Sequence, residues 1–128
     1  MAMGSEKNFR PAAVAEVSAG FFGDPKIIGI YAKAGERGVT AFLRLLLWAA
    51  KWRSDGSMRD IDDDLIERIA EFTVDFGGKP VVENTPGALV GAMRKYGLLT
   101  GEGDESRLSG LEGLVSFHPV PRRVRGRK

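Results

Sequence analysis

The stretch Val39-Thr40-Ala41-Phe42-Leu43-Arg44-Leu45-Leu46-Leu47-Trp48-Ala49-Ala50-Lys51-Trp52 decides how this chain folds. Its polar members Thr40, Arg44 and Lys51, with Arg37 just before it, fall near one line at helical spacing and leave the rest of the circumference apolar. The spacing predicts a helix from about Glu36 to about Arg53. Carrying Phe42, Leu43, Leu46, Trp48 and Trp52, it is expected to be the central post of a hydrophobic core. Arg44 and Lys51 interrupt the run, which is also shorter than the roughly 20 apolar residues a membrane span needs, so no membrane partner is expected.

Towards the N-terminus, Asp24-Pro25 marks a helix start, because Asp can cap free N–H groups and Pro at the first position has its φ preset. That helix should run to about Ala34, bury Ile27, Ile28, Ile30 and Tyr31, and stop at Gly35. Towards the C-terminus, Asp55-Gly56 is a turn, and Ser57 to Arg59 suits a short extended piece. Asp60-Ile61-Asp62-Asp63-Asp64 then leads into Leu65, Ile66, Ile69, Ala70 and Phe72. This is an amphipathic helix whose first turn holds acids where the helix dipole favours them. Gly77-Gly78 ends the region, and Lys79 to Asn84 is a loop containing Pro80.

Thr85-Pro86 opens a further helix by the same cap-plus-proline logic, with Leu89, Ala92, Met93 and Tyr96 inward and Gly97 as a left-handed C-terminal cap. Leu98 to Thr100 and Leu114 to Phe117 read as two strands flanking a turn region from Gly101 to Ser106. The order from Glu36 is helix, extended piece, helix, loop, helix, hairpin. That order predicts an α+β, mostly α fold: a winged helix-turn-helix with a C-terminal β-hairpin wing. The link from about Asp75 to Asn84 exceeds the three or four residues of a tight helix-turn-helix.

A length of 128 residues fits one domain, expected over 9–119, with a flexible 1–8 and a basic tail at 120–128. Met1 to Ser5 has the composition of a cloning scar and carries no structural weight. Hydrophobic residues at 43% and charged residues at 28% place the chain among folded rather than disordered proteins. The absence of cysteine excludes disulfides and thiolate metal sites. With no apolar leader after a charged start, the expected location is the cytoplasm of a bacterial or phage-infected cell.

Enzyme readings fare badly. His118 is the only histidine, which leaves no histidine-paired metal site and one candidate base beside Pro119. No G-x-S-x-G, Walker A or strand-following G-x-G-x-x-G is present. Asp60, Asp62, Asp64 and Glu71 sit at positions 1, 3, 5 and 12 of a calcium-loop template, but Leu65 replaces the glycine that the sharp turn needs. Helix capping is the reading those acids support. No catalytic residue, metal or cofactor is expected.

Charge is more informative. Arg122, Arg123, Arg125, Arg127 and Lys128 give the tail +5, so the remainder carries −3, the difference from the net +2. A basic arm on a mildly acidic body seeks polyanions. On the last helix the outward positions should be Gly87, Ala88, Gly91, Arg94 and Lys95. Base reading needs polar side chains near the start of such a helix, where Asn84 and Thr85 are available. Arg94, Lys95, Arg107 and the tail cations suit phosphate contacts, so the expected partner is double-stranded DNA, bound with salt-sensitive affinity and weak specificity. The small residues of that outer face also let a protein partner or a second copy approach closely. That supports the alternative of a protein–protein interaction module, a phage-encoded regulator or inhibitor of a host protein that has lost DNA binding.

Phe21-Phe22-Gly23-Asp24-Pro25-Lys26-Ile27, the Gly35-Glu36-Arg37-Gly38 lead into the long helix, Asp55-Gly56, and Gly87-Ala88-Leu89-Val90 through Tyr96-Gly97-Leu98-Leu99 together resemble the N-terminal domains of phage replication initiators (replisome organisers). The resemblance covers about Phe21 to Thr100. It implies a winged helix that binds origin DNA and, through further segments, recruits helicase-loading proteins. The chain departs from the pattern in a third helix poor in polar residues.

Overall fold

The structure is a computed structural model that describes residues 13–72 and 85–119. The fold is α+β and mostly helical. Strand β1 (Ala13–Val17) leads through a short 3-10 turn at Phe21–Gly23 into the long helix α1 (Pro25–Trp52). Helices α2 (Asp63–Ile69) and α3 (Ala88–Lys95) follow, and then strands β2 (Leu99–Thr100), β3 (Arg107–Leu108) and β4 (Val115–Pro119). Among the described residues, no helix is long and apolar enough to cross a membrane.

Helix α1 starts as the Asp24-Pro25 pair predicts: Asp24 Oδ1 accepts a hydrogen bond from Lys26 N–H at 2.9 Å, and Pro25 takes the first position. The break at Gly35 is also present. Its φ of 75° and ψ of −175° are non-helical, so α1 consists of two arms, 25–34 and 36–52, meeting at a bend. An L side chain is strained at that φ, which is why glycine holds the corner.

The 36–52 arm is the post of the core. Phe42, Leu45, Leu46 and Ala49, at i, i+3, i+4 and i+7, are buried, and Phe21 stacks on Phe42 with ring centroids 6.4 Å apart. Two expectations fail here. Trp52 stands at the last helical position, past the packed region, and is 61% exposed, with Lys51 Nζ 5.0 Å from its ring. On the 25–34 arm only Ile27 and Ile30 enter the core, while Ile28 and Tyr31 are 52% and 60% exposed. The bend at Gly35 separates that arm from the 36–52 arm, and its packing sets its rotation. Gly29 faces the Tyr96 ring so closely that a Cβ there would overlap it, which turns the neighbouring Ile28 outward.

Helix α2 is capped by Asp62, whose Oδ1 accepts from Leu65 N–H at 2.8 Å, with Asp63 and Asp64 in the first turn. Helix α3 ends as expected. Gly97, at φ 78°, lets Leu98 N–H reach Met93 C=O at 2.7 Å. Its beginning differs: Ala88 is the first residue, Gly87 at φ 90° is the cap position, and no side chain there accepts a bond. The Thr85-Pro86 start is therefore displaced towards the C-terminus, and Thr85 contributes its C=O, to Ala88 N–H at 3.0 Å.

The hairpin forms, with a different second strand. β2 pairs antiparallel with β3, Leu99 opposite Leu108 and Thr100 opposite Arg107. The turn between them holds Gly101 at φ 80° and a 3-10 turn at Gly103–Glu105, and it closes early enough for Arg107 to reach β2 before Leu114 can. A local closure costs less chain entropy than a distant one. The run from Leu114 to Phe117, expected to be the hairpin partner, lies largely in β4. This strand pairs instead with β1, Val17 opposite Val115 and Ala13 opposite Pro119. Val115 and Leu114 join the core, and Ala15 and Phe117 pack on it. β1 was not expected at all.

Ser57 does form an extended piece, bridging antiparallel to Arg107. Leu108 N–H reaches Gly56 C=O at 2.7 Å, and Met58 N–H reaches Ser106 C=O at 2.8 Å. Because β3 also pairs with β2, it lies between β2 and the Ser57 segment.

Candidate nucleic-acid interface

Helix α3 exposes one face. Leu89, Val90, Ala92 and Met93 are buried, whereas Gly87, Gly91 and Lys95 are exposed and Ala88 and Arg94 are half-buried. This is the outward face that helical spacing predicts. An added Cβ at Gly91 would meet nothing within 4 Å, so the centre of the face is flat and open.

A residue of α2 fixes the helix in this attitude. Glu67 is 2% exposed. Its Oε1 accepts from Gly87 N–H at 2.8 Å and its Oε2 from Val90 N–H at 3.0 Å. The carboxylate thus supplies, from another helix, the cap that the Thr85–Gly87 segment lacks, and it places negative charge at the positive end of the α3 dipole. Sequence reasoning missed Glu67. Its spacing is that of a solvated acid, because Thr85 reads as the cap of the next helix and only the structure moves that start to Gly87.

The expected cations have different surroundings. Lys95 is exposed, its Nζ 5.9 Å from the Tyr96 ring. Arg94 is engaged within the molecule, donating to Gly101 C=O at 3.0 Å and to Asp63 Oδ1 at 3.1 Å. It ties α3 to the start of α2 and to the hairpin turn. Arg107 donates to Asp55 C=O at 2.6 Å and so braces the Ser57 bridge, though it stays exposed. Two arginines not singled out from sequence stand nearby: Arg53 Nη1 donates to Arg59 C=O at 2.9 Å, and Arg59 lies 3.9 Å from Asp104. Asn84, Arg122, Arg123, Arg125, Arg127 and Lys128 lie outside the described residues.

Beside this face runs an acidic cleft between the start of α2 and the hairpin turn, lined by Asp60, Asp62, Asp63, Asp64, Glu102 and Asp104, with Arg94 at its wall. Phosphates are repelled there. Among the described residues, no group of three or more His, Asp or Glu side chains could hold a metal ion.

No family model, curated protein or solved structure matches the chain.

The arrangement around His118 looks like a catalytic set and is not built as one. Ser116 Oγ and Glu16 Oε1 lie 3.0 and 2.9 Å from the same ring nitrogen, Nε2, on the exposed β1–β4 ribbon. A charge-relay triad needs the acid on one ring nitrogen and the nucleophile on the other. Here the two compete for one.

Proposed function

We propose that the chain is a DNA-binding winged-helix protein of phage or prophage type, acting in replication initiation or its regulation. The observation that carries the fold reading is the position of β3 between β2 and the Ser57 bridge. An extended piece between the first two helices, joined to a hairpin that follows the third, is the winged-helix order. In that layout α3 is the helix offered to the major groove and β2–β3 is the wing. The link from α2 to α3, Ala70 to Gly87, is longer than that of a compact helix-turn-helix. The place in replication rests on the resemblance spanning Phe21 to Thr100.

The composition of the α3 face favours backbone contacts over base reading. Gly87, Ala88 and Gly91 offer no groups that discriminate base edges, while Lys95 and the tail offer charge. The test is a salt titration of duplex affinity for the full chain and for a version cut after Pro121. If all five tail cations engage phosphates, they contribute about −4.5 to the slope of log K against log salt. A steep slope that becomes shallower after the cut supports the reading. No binding at low salt defeats it.

A second reading, a protein-interaction module that keeps this fold without DNA binding, is favoured by one observation. The wing turn carries Glu102, Asp104 and Glu105, and both Arg94 and Arg107 are spent on internal contacts.

A further inference from the structure

Among the described residues, the long helix leaves a stripe of side chains uncovered. Glu36, Thr40, Leu43, Leu47 and Lys51 follow one another at steps of four, three, four and four residues, so they share one face of the 36–52 arm. Leu47 projects from it at 60% exposure. Beside the N-terminal half of the stripe, where the two arms of α1 meet at the bend, lies a mostly apolar groove formed by Phe22, Ile28, Tyr31, Val39 and Leu43, with Glu36 and Thr40 on its wall. Knob and groove therefore lie on one helix face, displaced from each other along its axis. Glu36 and Lys51, at the two ends, make no ion pair among the described residues.

We infer that this face is the interface of a two-fold symmetric homodimer in which the 36–52 arms pack antiparallel. A two-fold axis near Leu43 sets Thr40 of one copy opposite Leu47 of the second, so each Leu47 enters the other copy's groove. The same axis sets Glu36 opposite Lys51 of the second copy, twice by symmetry. Parallel packing would instead set Glu36 against Glu36 and Lys51 against Lys51. Glu36 and Lys51 thus favour a reversed second copy over a parallel one, with each Arg44 near the axis held by Glu71 of its own copy at 3.7 Å.

The four exposed apolar side chains supply the centre of such an interface, and its polar rim must supply the remaining area. Phe22 is 64% exposed and Ile28, Tyr31 and Leu47 are 52–60% exposed. At about 150–250 Å² for each aromatic and somewhat less for each aliphatic side chain, these four offer roughly 400 Å² per copy. Two copies bury about 800 Å² of apolar side chain before any rim is counted, against a total of roughly 1,200–2,000 Å² for a stable, specific interface.

The dimer is read by mass rather than by DNA affinity, so its failure is separate from that of the DNA reading. Light scattering on the full chain should give twice 13.9 kDa at high micromolar concentration. Leu47→Glu should give a monomer with an unchanged circular dichroism spectrum, since Leu47 is exposed. Glu36→Lys and Lys51→Glu should each weaken dimerisation by about tenfold, and the double reversal should bring it back to near the parent value, because it restores both cross-pairs. A monomer at every concentration overturns the inference. So does a dimer indifferent to Leu47→Glu, or a double reversal no better than its singles.

Discussion

Replacing Glu67 by alanine should be the most damaging single polar substitution in the described part of the chain. The side chain is 2% exposed and its two oxygens accept from Gly87 N–H and Val90 N–H at 2.8 and 3.0 Å. A hydrogen bond to a charged group contributes about 1.5–3 kcal/mol net, and a buried N–H left without a partner costs about 1–3 kcal/mol. The terms overlap, because the same bonds are counted from both ends, so the expected loss for Glu67→Ala is about 3–5 kcal/mol. That is a large share of the roughly 5–15 kcal/mol holding a domain together. Glu67→Gln keeps one acceptor and turns an amide NH₂ towards a backbone donor, so about 2 kcal/mol is expected. Urea unfolding followed by circular dichroism measures both values, and hydrogen exchange at the Val90 amide gives an independent readout, with protection falling in both variants. A loss under about 1 kcal/mol for Glu67→Ala, or unchanged protection at Val90, would refute the cap between helices.

Phe21→Ala should cost about 3–5 kcal/mol in the same assay, because the ring is fully buried and stacked on Phe42. Gly101→Ala should destabilise by at least about 1–3 kcal/mol, since φ is 80° and the new Cβ would overlap the Glu105 carbonyl; the loss should appear as weakened exchange protection at the Ser109 amide. Gly91→Ala should stabilise by about 0.5–1 kcal/mol, with open space around the added methyl and a better helix former in place. Arg94→Glu should destabilise as well as change surface charge, because it removes the bond to Gly101 C=O and sets an acid against Asp63.

Local signals were legible where one short stretch decides the outcome. Asp24-Pro25, Gly35, Asp62 and Gly97 each act within a turn of their own position, and each does what its chemistry dictates. The inward set Leu89, Ala92 and Met93 follows from 3.6-residue spacing alone. What could not be read depended on a distant partner. The apolar run at Leu114 to Phe117 suits pairing with either the hairpin or the N-terminus, and the early turn at Gly101–Ser106 makes the choice. Ile28 and Tyr31 have core-type side chains, but the arm's rotation is set by Gly29 against Tyr96, some 67 residues away. Glu67 reads as a solvated acid until α3 is placed over it. Arg94 likewise has the spacing of an outward cation, and only the positions of Asp63 and Gly101 reveal its internal role.

Because Arg94 and Arg107 brace the fold, substituting them confuses binding with stability. Gly91 does not. It lies at the centre of the α3 face, with no described neighbour within 4 Å of an added Cβ. Duplex affinity of Gly91→Glu and Gly91→Arg, measured side by side at low salt, therefore asks whether this face meets DNA. The glutamate should weaken binding by about tenfold or more and the arginine should strengthen it, with unfolding curves close to the parent's. Equal affinities for the two variants would mean that DNA, if it binds, does so elsewhere on the molecule.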